Sequence, residues 1–154
     1  MSRIMYDAVT PSNIPATATM VAGYADGKYA NIPQLKARFP HATVVSIAVH
    51  HTTAAQVLDV EPGCSSAREA VLWCTQTMAH TSNKELTVYC NTSTWPTVRA
   101  AFRAARVTEP NYWVAQYDNK PHIPDSAVAK QYASNKKFDT SVVSGHWPGI
   151  DAAH

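Results

Sequence analysis

The sequence predicts one α/β domain whose strands close into a barrel. Eight short apolar runs rich in Val, Ile, Tyr and Trp are typical of strands, and three stretches with helical spacing lie between them. Alternating strands and helices predict a parallel sheet, and eight such strands are enough to close a barrel. The length of 154 residues fits a single domain.

The predicted strands are five to seven residues long. Several are apolar on both faces, which is typical of parallel strands that are covered on both sides. They occupy residues 3–7, 19–25, 43–49, 56–61, 86–91, 112–118, 128–133 and 138–143. After the first strand, residues 10–18 contain two prolines and allow one turn of helix at most.

The predicted helices are residues 32–39, 65–80 and 93–106. Prolines bound the first, and apolar residues recur at helical spacing in the other two. Serine or threonine residues precede the second and third helices, where they can cap the free backbone amides.

The C-terminal third is too short for regular β/α units. An eight-unit barrel takes about 250 residues, and a parallel crossover takes about a dozen residues or more. Because the last three predicted strands lie close together in the chain, we expect loops or hairpins between them. We expect residues 147–154 to lie on the surface.

Composition and charge exclude several classes of protein. With 45% hydrophobic and 16% charged residues, the chain can form a core, and its net charge of +2 is scattered, which argues against a nucleic-acid-binding face. No run approaches the ~18 apolar residues of a membrane span. The N-terminus carries no signal-peptide pattern, so we expect synthesis in the cytoplasm.

Cysteine and histidine residues predict no metal site and no cofactor. Cys64, Cys74 and Cys90 lack zinc-binding spacing, and we expect them to be free, buried or half-buried thiols. His50 and His51 are adjacent, so on a strand they would point to opposite faces and could not share one metal ion.

Carboxylates cluster near the ends of the predicted strands, where sites form in parallel α/β folds. These residues are Asp7, Asp26, Asp59, Glu61, Asp118 and Asp139. Asp59 and Glu61, in "VLDVEPGC", are two positions apart on one strand and should project from the same face.

Two neighbouring carboxylates can divide into a proton donor and an ionised partner, as glycoside hydrolysis requires. Their expected separation lies between the ranges of retaining and inverting enzymes and predicts neither outcome. The alternative is that they are ordinary turn acids, since "EPG" is a turn signal. Tyrosines and tryptophans beside the strands suit a sugar cleft, although they suit a core equally well.

The ordered series "MYDAVTP", "VAGY", "VLDVEPG", "VYCNTSTWP", "YWVAQYD", "KQYA" and "FDTS" resembles the family 25 glycoside hydrolases, the lysozyme-like muramidases. It is closest to the small domains of this kind in actinobacteria and their phages. The resemblance covers nearly the whole chain and implies a TIM-like, incomplete (β/α)5β3 barrel. It also implies hydrolysis of the β-1,4 bond between N-acetylmuramic acid and N-acetylglucosamine in peptidoglycan.

The same resemblance implies roles for individual residues. Glu61 matches the general acid, and Asp59 matches the residue that stabilises positive charge or positions the N-acetyl group. Asp7 and Asp139 match the acids of the first and last strands. Tyr89, Gln116 and Gln131 match polar positions of the cleft. Apart from the resemblance, these three and Asn91 lie late in their strands, and the aromatic residues Tyr24 and Trp113 complete the predicted substrate-binding set.

The chain also departs from the family. It is short, and we expect no wall-binding repeat after the domain. An alternative is therefore a non-catalytic barrel that binds cell-wall sugars or decorates a phage particle, since a fold does not fix a function. Under either hypothesis we expect action at the cell wall or in a virion, as an endolysin or a virion protein, without nucleic acid or membrane partners.

Overall fold

Eight strands close into a barrel in the computed structural model, which describes residues 2–152. The strands follow one another around the barrel in chain order. Each of the eight runs predicted from the sequence overlaps one of these strands, so that prediction is confirmed. The strands are β1 Arg3–Asp7, β2 Met20–Tyr24, β3 Thr43–Ala48, β4 Val57–Asp59, β5 Thr87–Asn91, β6 Asn111–Ala115, β7 Ala129–Ser134 and β8 Asp139–Val143.

Three α-helices lie in the connections, as predicted: α1 Ile32–Arg38, α2 Ala67–Leu72 and α3 Trp95–Ala104. A capping box fixes the start of α2, because Ser66 and Glu69 each accept a hydrogen bond from the other's backbone amide. The helix predicted over residues 65–80 is α-helical only in its first part, because α2 continues as the π-helical turn Trp73–Thr77.

The described helices are fewer than five β/α units would require. The β1–β2 connection holds only the 3-10 turn Pro11–Asn13, and residues 49–56 between β3 and β4 form no helix. The architecture is therefore a closed eight-stranded barrel with three helices in one mixed α/β domain.

The last strands are joined without helices, as the short spacing predicted. Residues 116–128 link β6 to β7, which still pair in parallel. A hairpin then reverses the chain, so that β8 pairs antiparallel with both β7 and β1 and closes the barrel. This reversal matters for the site, because it brings the first residue of β8 to the carboxyl ends of the other strands.

Apolar side chains fill three regions. Inside the barrel, Met5, Met20 and Val57 pack with Trp113. Outside, α2 and α3 cover the outer face of β4–β6, and α1 covers that of β2 and β3. The strands are thus buried on both faces around most of the barrel, which explains their continuous apolar runs.

The expectation that the C-terminal tail lies on the surface was wrong for Trp147, whereas residues 148–152 are half-buried or exposed and residues 153–154 lie outside the described chain. Trp147 is fully buried among the barrel's interior residues, and its indole N–H donates to Thr87 Oγ1 at 2.8 Å. Asp151 forms an ion pair with Arg3 at 2.7 Å. Because Thr87 and Arg3 begin their strands, the tail closes the end of the barrel opposite the site.

Candidate active site

Four carboxylates meet at the mouth of the barrel. Asp7 ends β1, Asp59 ends β4, Glu61 follows two residues later, and Asp139 begins the reversed strand β8. Asp7 and Asp139 are direct partners in the sheet register. A cavity of about 140 Å³ separates the side chains, and it is lined by Asp7, Tyr24, Ile47, Asp59, Glu61, Tyr89, Trp113, Tyr117, Gln131 and Asp139.

The backbone after β4 keeps Asp59 and Glu61 on one face. Val60 N–H donates to Tyr89 O at 2.8 Å, so the strand-like pairing continues beyond β4. Val60 is buried in the outer core, which leaves its two neighbours pointing inward. A turn then follows, with Cys64 N–H donating to Glu61 O at 2.9 Å and Gly63 at a φ of +85°.

Asp59 lies deeper than Glu61. Only 2% of Asp59 is exposed, whereas Glu61 is half-buried, and Asp59 Oδ1 is buried without a hydrogen-bond donor in the described chain. Burial, and then the charge of Glu61, raise the pKa of Asp59 to about 8. Asp59 therefore keeps its proton at neutral pH, although it lies beside a second carboxyl group.

Asp7, which faces Asp139 in the sheet, has a pKa that is perturbed in the same direction as that of Asp59. Burial, and then the charge of Asp139, raise the pKa of Asp7 well above its ordinary value. None of the ten residues that line the cavity is basic. The mouth of the barrel thus holds carboxyl groups that resist ionising together.

Gln131 connects Asp7 and Asp139 to two tyrosines. Its Nε2 donates to Asp7 Oδ2 at 2.9 Å and to Asp139 Oδ2 at 3.4 Å. Its Oε1 accepts from the hydroxyls of Tyr89 and Tyr117, each at 2.6 Å. One buried amide on β7 thereby fixes the positions of four neighbouring side chains.

The structure brings eight of the ten predicted site residues to this cavity: Asp7, Asp59, Glu61, Asp139, Tyr24, Tyr89, Trp113 and Gln131. The other two, Asn91 and Gln116, do not line it. Both are exposed, and Asn91 Oδ1 instead accepts from the backbone amide of Thr94 at 2.8 Å before α3.

Tyr117 lines the cavity but was not chosen from the sequence. The alternation of side chains along β6 could have identified it. Trp113 points inward, so residues 115 and 117 fall on the same inner face. Gln116 falls on the opposite face for the same reason.

Two other strand-end acids have structural roles instead. Asp26 accepts from the backbone amides of Val49 at 2.7 Å and His50 at 3.1 Å, which orders the loop after β3. Asp118 pairs with the buried Lys130 at 2.7 Å. For Asp26 and Asp118 the alternative interpretation therefore applies, since they are loop acids whose carboxylates pair with nearby backbone amides or a lysine.

A second cavity of about 370 Å³ adjoins the first, and Tyr24, Asp59 and Glu61 line both. Tyr29, which is 49% exposed, adds a flat apolar surface, and Lys28 Nζ lies 5.0 Å from its ring centroid. The acid pair therefore lies between a narrow polar pocket and a wider cavity with an aromatic wall.

The three cysteines are free thiols, as predicted. Cys74 and Cys90 are buried, whereas Cys64 is half-buried and lines the second cavity. Burial, and then the charge of Asp59, raise the pKa of the Cys64 thiol to about 12, so it is protonated at neutral pH.

Within residues 2–152, no helix is long and apolar enough to cross a membrane. Comparison with protein-family models, curated proteins and solved structures gave no match. The functional interpretation of this barrel mouth consequently depends on its own residues and geometry.

Proposed function

We propose that this chain is a muramidase-like glycosidase that hydrolyses the β-1,4 bond between N-acetylmuramic acid and N-acetylglucosamine in peptidoglycan. The observation that carries the proposal is the placement of Asp59 and Glu61 side by side at the barrel mouth, between two cavities. Paired carboxyl groups with unequal burial are the chemical requirement for cleaving a glycosidic bond.

In this mechanism Glu61, the more accessible of the pair, protonates the glycosidic oxygen as general acid. Asp59 lies beneath it and stabilises the positive charge that develops on the sugar ring, or positions the N-acetyl group. Burial keeps a proton on Asp59, and its transfer to Glu61 would supply the general acid and leave Asp59 ionised, which is the form that stabilises a cation.

The other polar groups supply binding and orientation. Gln131 holds Asp7 and Asp139 and aligns the tyrosine hydroxyls. The Tyr24 and Tyr29 rings can pack against the apolar faces of sugars on the side of the second cavity. No cofactor takes part in this scheme.

The fold supports a related structural proposal, that the barrel is a reduced TIM-like (β/α)5β3 barrel. Five parallel connections precede β6, and three of them carry α-helices. The first and third would be units that have lost their helices, and β6, β7 and β8 would be the three terminal strands.

The expected target is peptidoglycan or a related glycan, met at the cell wall or as part of a phage particle. A nucleic acid and a membrane are not partners in this proposal. The scattered net charge of +2 supports the first of these exclusions.

The test is digestion of purified cell walls, with released reducing ends as the measurement. We expect release by the wild type and a loss of at least ~100-fold in Glu61→Gln, the scale of lost acid catalysis. Glu85→Gln, at an exposed acid, is the matched control and should retain wild-type activity. Equal release by the wild type and Glu61→Gln, or none by a folded wild type, would refute the proposal.

One observation favours the second candidate, a barrel that binds wall sugars without cleaving them. The cavity at the four acids measures about 140 Å³, below the ~300 Å³ at which ligand pockets begin. Chitooligosaccharide binding by wild type and Glu61→Gln with equal affinity, and no reducing ends from either, would establish this function.

A further inference from the structure

Cys64 lies against the acid pair. One ligand atom from each of Asp59, Glu61 and Cys64 can be chosen so that all three lie within 4.8 Å of one another. Cys64 Sγ is 4.0 Å from Glu61 Oε1. The turn at Gly63 brings Cys64 back beside Glu61, with Cys64 N–H donating to Glu61 O at 2.9 Å.

One of these three residues also carries a buried acceptor without a donor. Asp59 is 98% buried, its carboxylate lines both cavities, and its Oδ1 receives no hydrogen bond in the described chain. A buried polar atom without a partner costs free energy, and a bound cation would remove that cost. No basic side chain lines the smaller cavity to do so.

We propose that Asp59, Glu61 and Cys64 form a binding site for a divalent cation of intermediate softness, such as Zn²⁺. Zn²⁺ accepts carboxylate oxygen and thiolate sulfur together, at about 2.0–2.2 Å and 2.3 Å. Mg²⁺ and Ca²⁺ prefer oxygen ligands alone, so the sulfur selects against them. On binding, the thiol releases its proton to solvent and the sulfur forms the bond to the metal.

The site would be open. Three protein ligands leave at least one position of a tetrahedral ion for water, which the adjoining cavity can supply. The sequence Asp-x-Glu-x-x-Cys provides all three ligands from the end of β4 and one turn, an arrangement that the spacing of the cysteines alone did not reveal.

Binding would also regulate hydrolysis, and this part rests on the proposed function. A cation on Glu61 occupies the carboxylate that would donate the proton, so Zn²⁺ would inhibit cleavage. The metal site itself requires no hydrolytic activity, and the two proposals can therefore fail separately.

The binding test is a Co²⁺ titration of the metal-free full chain, followed by Zn²⁺ displacement and calorimetry. We expect one Co²⁺ per chain and a sulfur-to-cobalt charge-transfer absorption in the near ultraviolet, which histidine or carboxylate sites do not give. Excess Mg²⁺ should not displace it. Absence of this absorption in the folded wild type would overturn the proposal, whatever the variants show.

Cys64→Ser should lose the absorption and bind Zn²⁺ at least ~10-fold more weakly, in line with losses on disturbing metal ligation. Cys74→Ala removes a buried thiol from the helix-covered core and is the matched control. Equal Zn²⁺ affinity in the wild type and Cys64→Ser would also overturn the site.

The effect of Zn²⁺ on wall cleavage tests the metal site and the glycosidase activity separately. If the wild type cleaves walls, Zn²⁺ should inhibit it, and half-inhibition of Cys64→Ser should need at least ~10-fold more Zn²⁺. Zn²⁺ binding without any wall cleavage would leave the metal site standing and refute the glycosidase. Cleavage that saturating Zn²⁺ does not slow would refute the inhibitory role.

Discussion

A single buried amide, Gln131, holds one side of the site. An amide is the side chain that suits this position, because it donates to carboxylates through Nε2 and accepts from hydroxyls through Oε1. Here it does both, between Asp7 and Asp139 on one side and Tyr89 and Tyr117 on the other. A carboxyl group of the same shape could not make the same set of contacts in its ionised form.

Gln131→Glu should therefore destabilise the protein by ~2–3 kcal/mol, the cost of leaving buried charged groups unsatisfied. The change removes the donor to Asp7 and places a further acid among four others. Urea unfolding measures the loss. Gln116→Glu, at an exposed glutamine on the neighbouring strand end, is the control and should change stability by less than ~0.5 kcal/mol. Similar losses in both variants would contradict the role of Gln131.

Asp7 makes stability depend on pH. Its raised pKa means that the folded chain binds a proton that the unfolded chain has lost, so stability falls as pH rises above the ordinary aspartate pKa of ~4. The facing charges that raise it further are those of Asp139 and Glu61. Below pH ~4 both states are protonated, and the effect vanishes.

Asp7→Asn should consequently be more stable than the wild type at pH 8, with the difference shrinking towards pH 4. The asparagine oxygen can still accept from Gln131, so the change removes charge and keeps that contact. Denaturant unfolding at pH 4, 6 and 8 gives the comparison. A stability difference that does not vary with pH would show that Asp7 is ionised in the folded chain.

At the scale of elements, apolar runs and turns predicted all eight strands, because most of the strands bury apolar residues on both faces. The direction in which each strand runs was harder to predict. Nothing local in "FDTSVV" shows that β8 runs antiparallel, yet that reversal is what carries Asp139 to the mouth. Side chains alternate between the two faces along β6. Once Trp113 is known to face inward, this alternation places Tyr117 at the site and excludes Gln116.

Other features depended on tertiary packing. Trp147 was expected on the surface, and its burial is explained only by the end of the barrel that it fills. The missing helices before β2 and β4 follow from short or proline-containing connections, which the sequence did show. Hydrogen bonds such as those of Gln131 join residues up to 124 positions apart and have no local signature.

The turn after β4 is the element that sets both the acid pair and Cys64. Gly63 has a φ of +85°, in the left-handed region, and no neighbouring atom within 4 Å of an added Cβ. Gly63→Ala should therefore lower stability by ~1 kcal/mol through backbone strain alone. Gly63→Asn, which tolerates this region better, should lose less. Equal stability of wild type and Gly63→Ala in thermal unfolding would contradict this account.

The two ends of the barrel differ in their side chains, since one gathers carboxyl groups and the other is closed by packing and an ion pair. Unpartnered and mutually repelling acids gather at the carboxyl ends of the parallel strands, and they cost folding free energy. At the other end, Trp147 and the Arg3–Asp151 ion pair close the barrel. Trp113 connects the two ends, because its ring contacts Trp147 at a centroid distance of 5.9 Å and Tyr89 at 4.8 Å.

Trp147→Ala should then destabilise the whole barrel by ~3–5 kcal/mol, the range for deleting a buried aromatic side chain. The change leaves a cavity beneath Trp113 and removes the donor to Thr87. Urea unfolding followed by both fluorescence and circular dichroism should show one cooperative transition at lower denaturant. Tyr29→Ala, which removes a half-exposed aromatic ring, should shift stability by less than ~0.5 kcal/mol. If Trp147→Ala unfolded at the wild-type midpoint, the tail would be an accessory segment and the barrel would be closed without it.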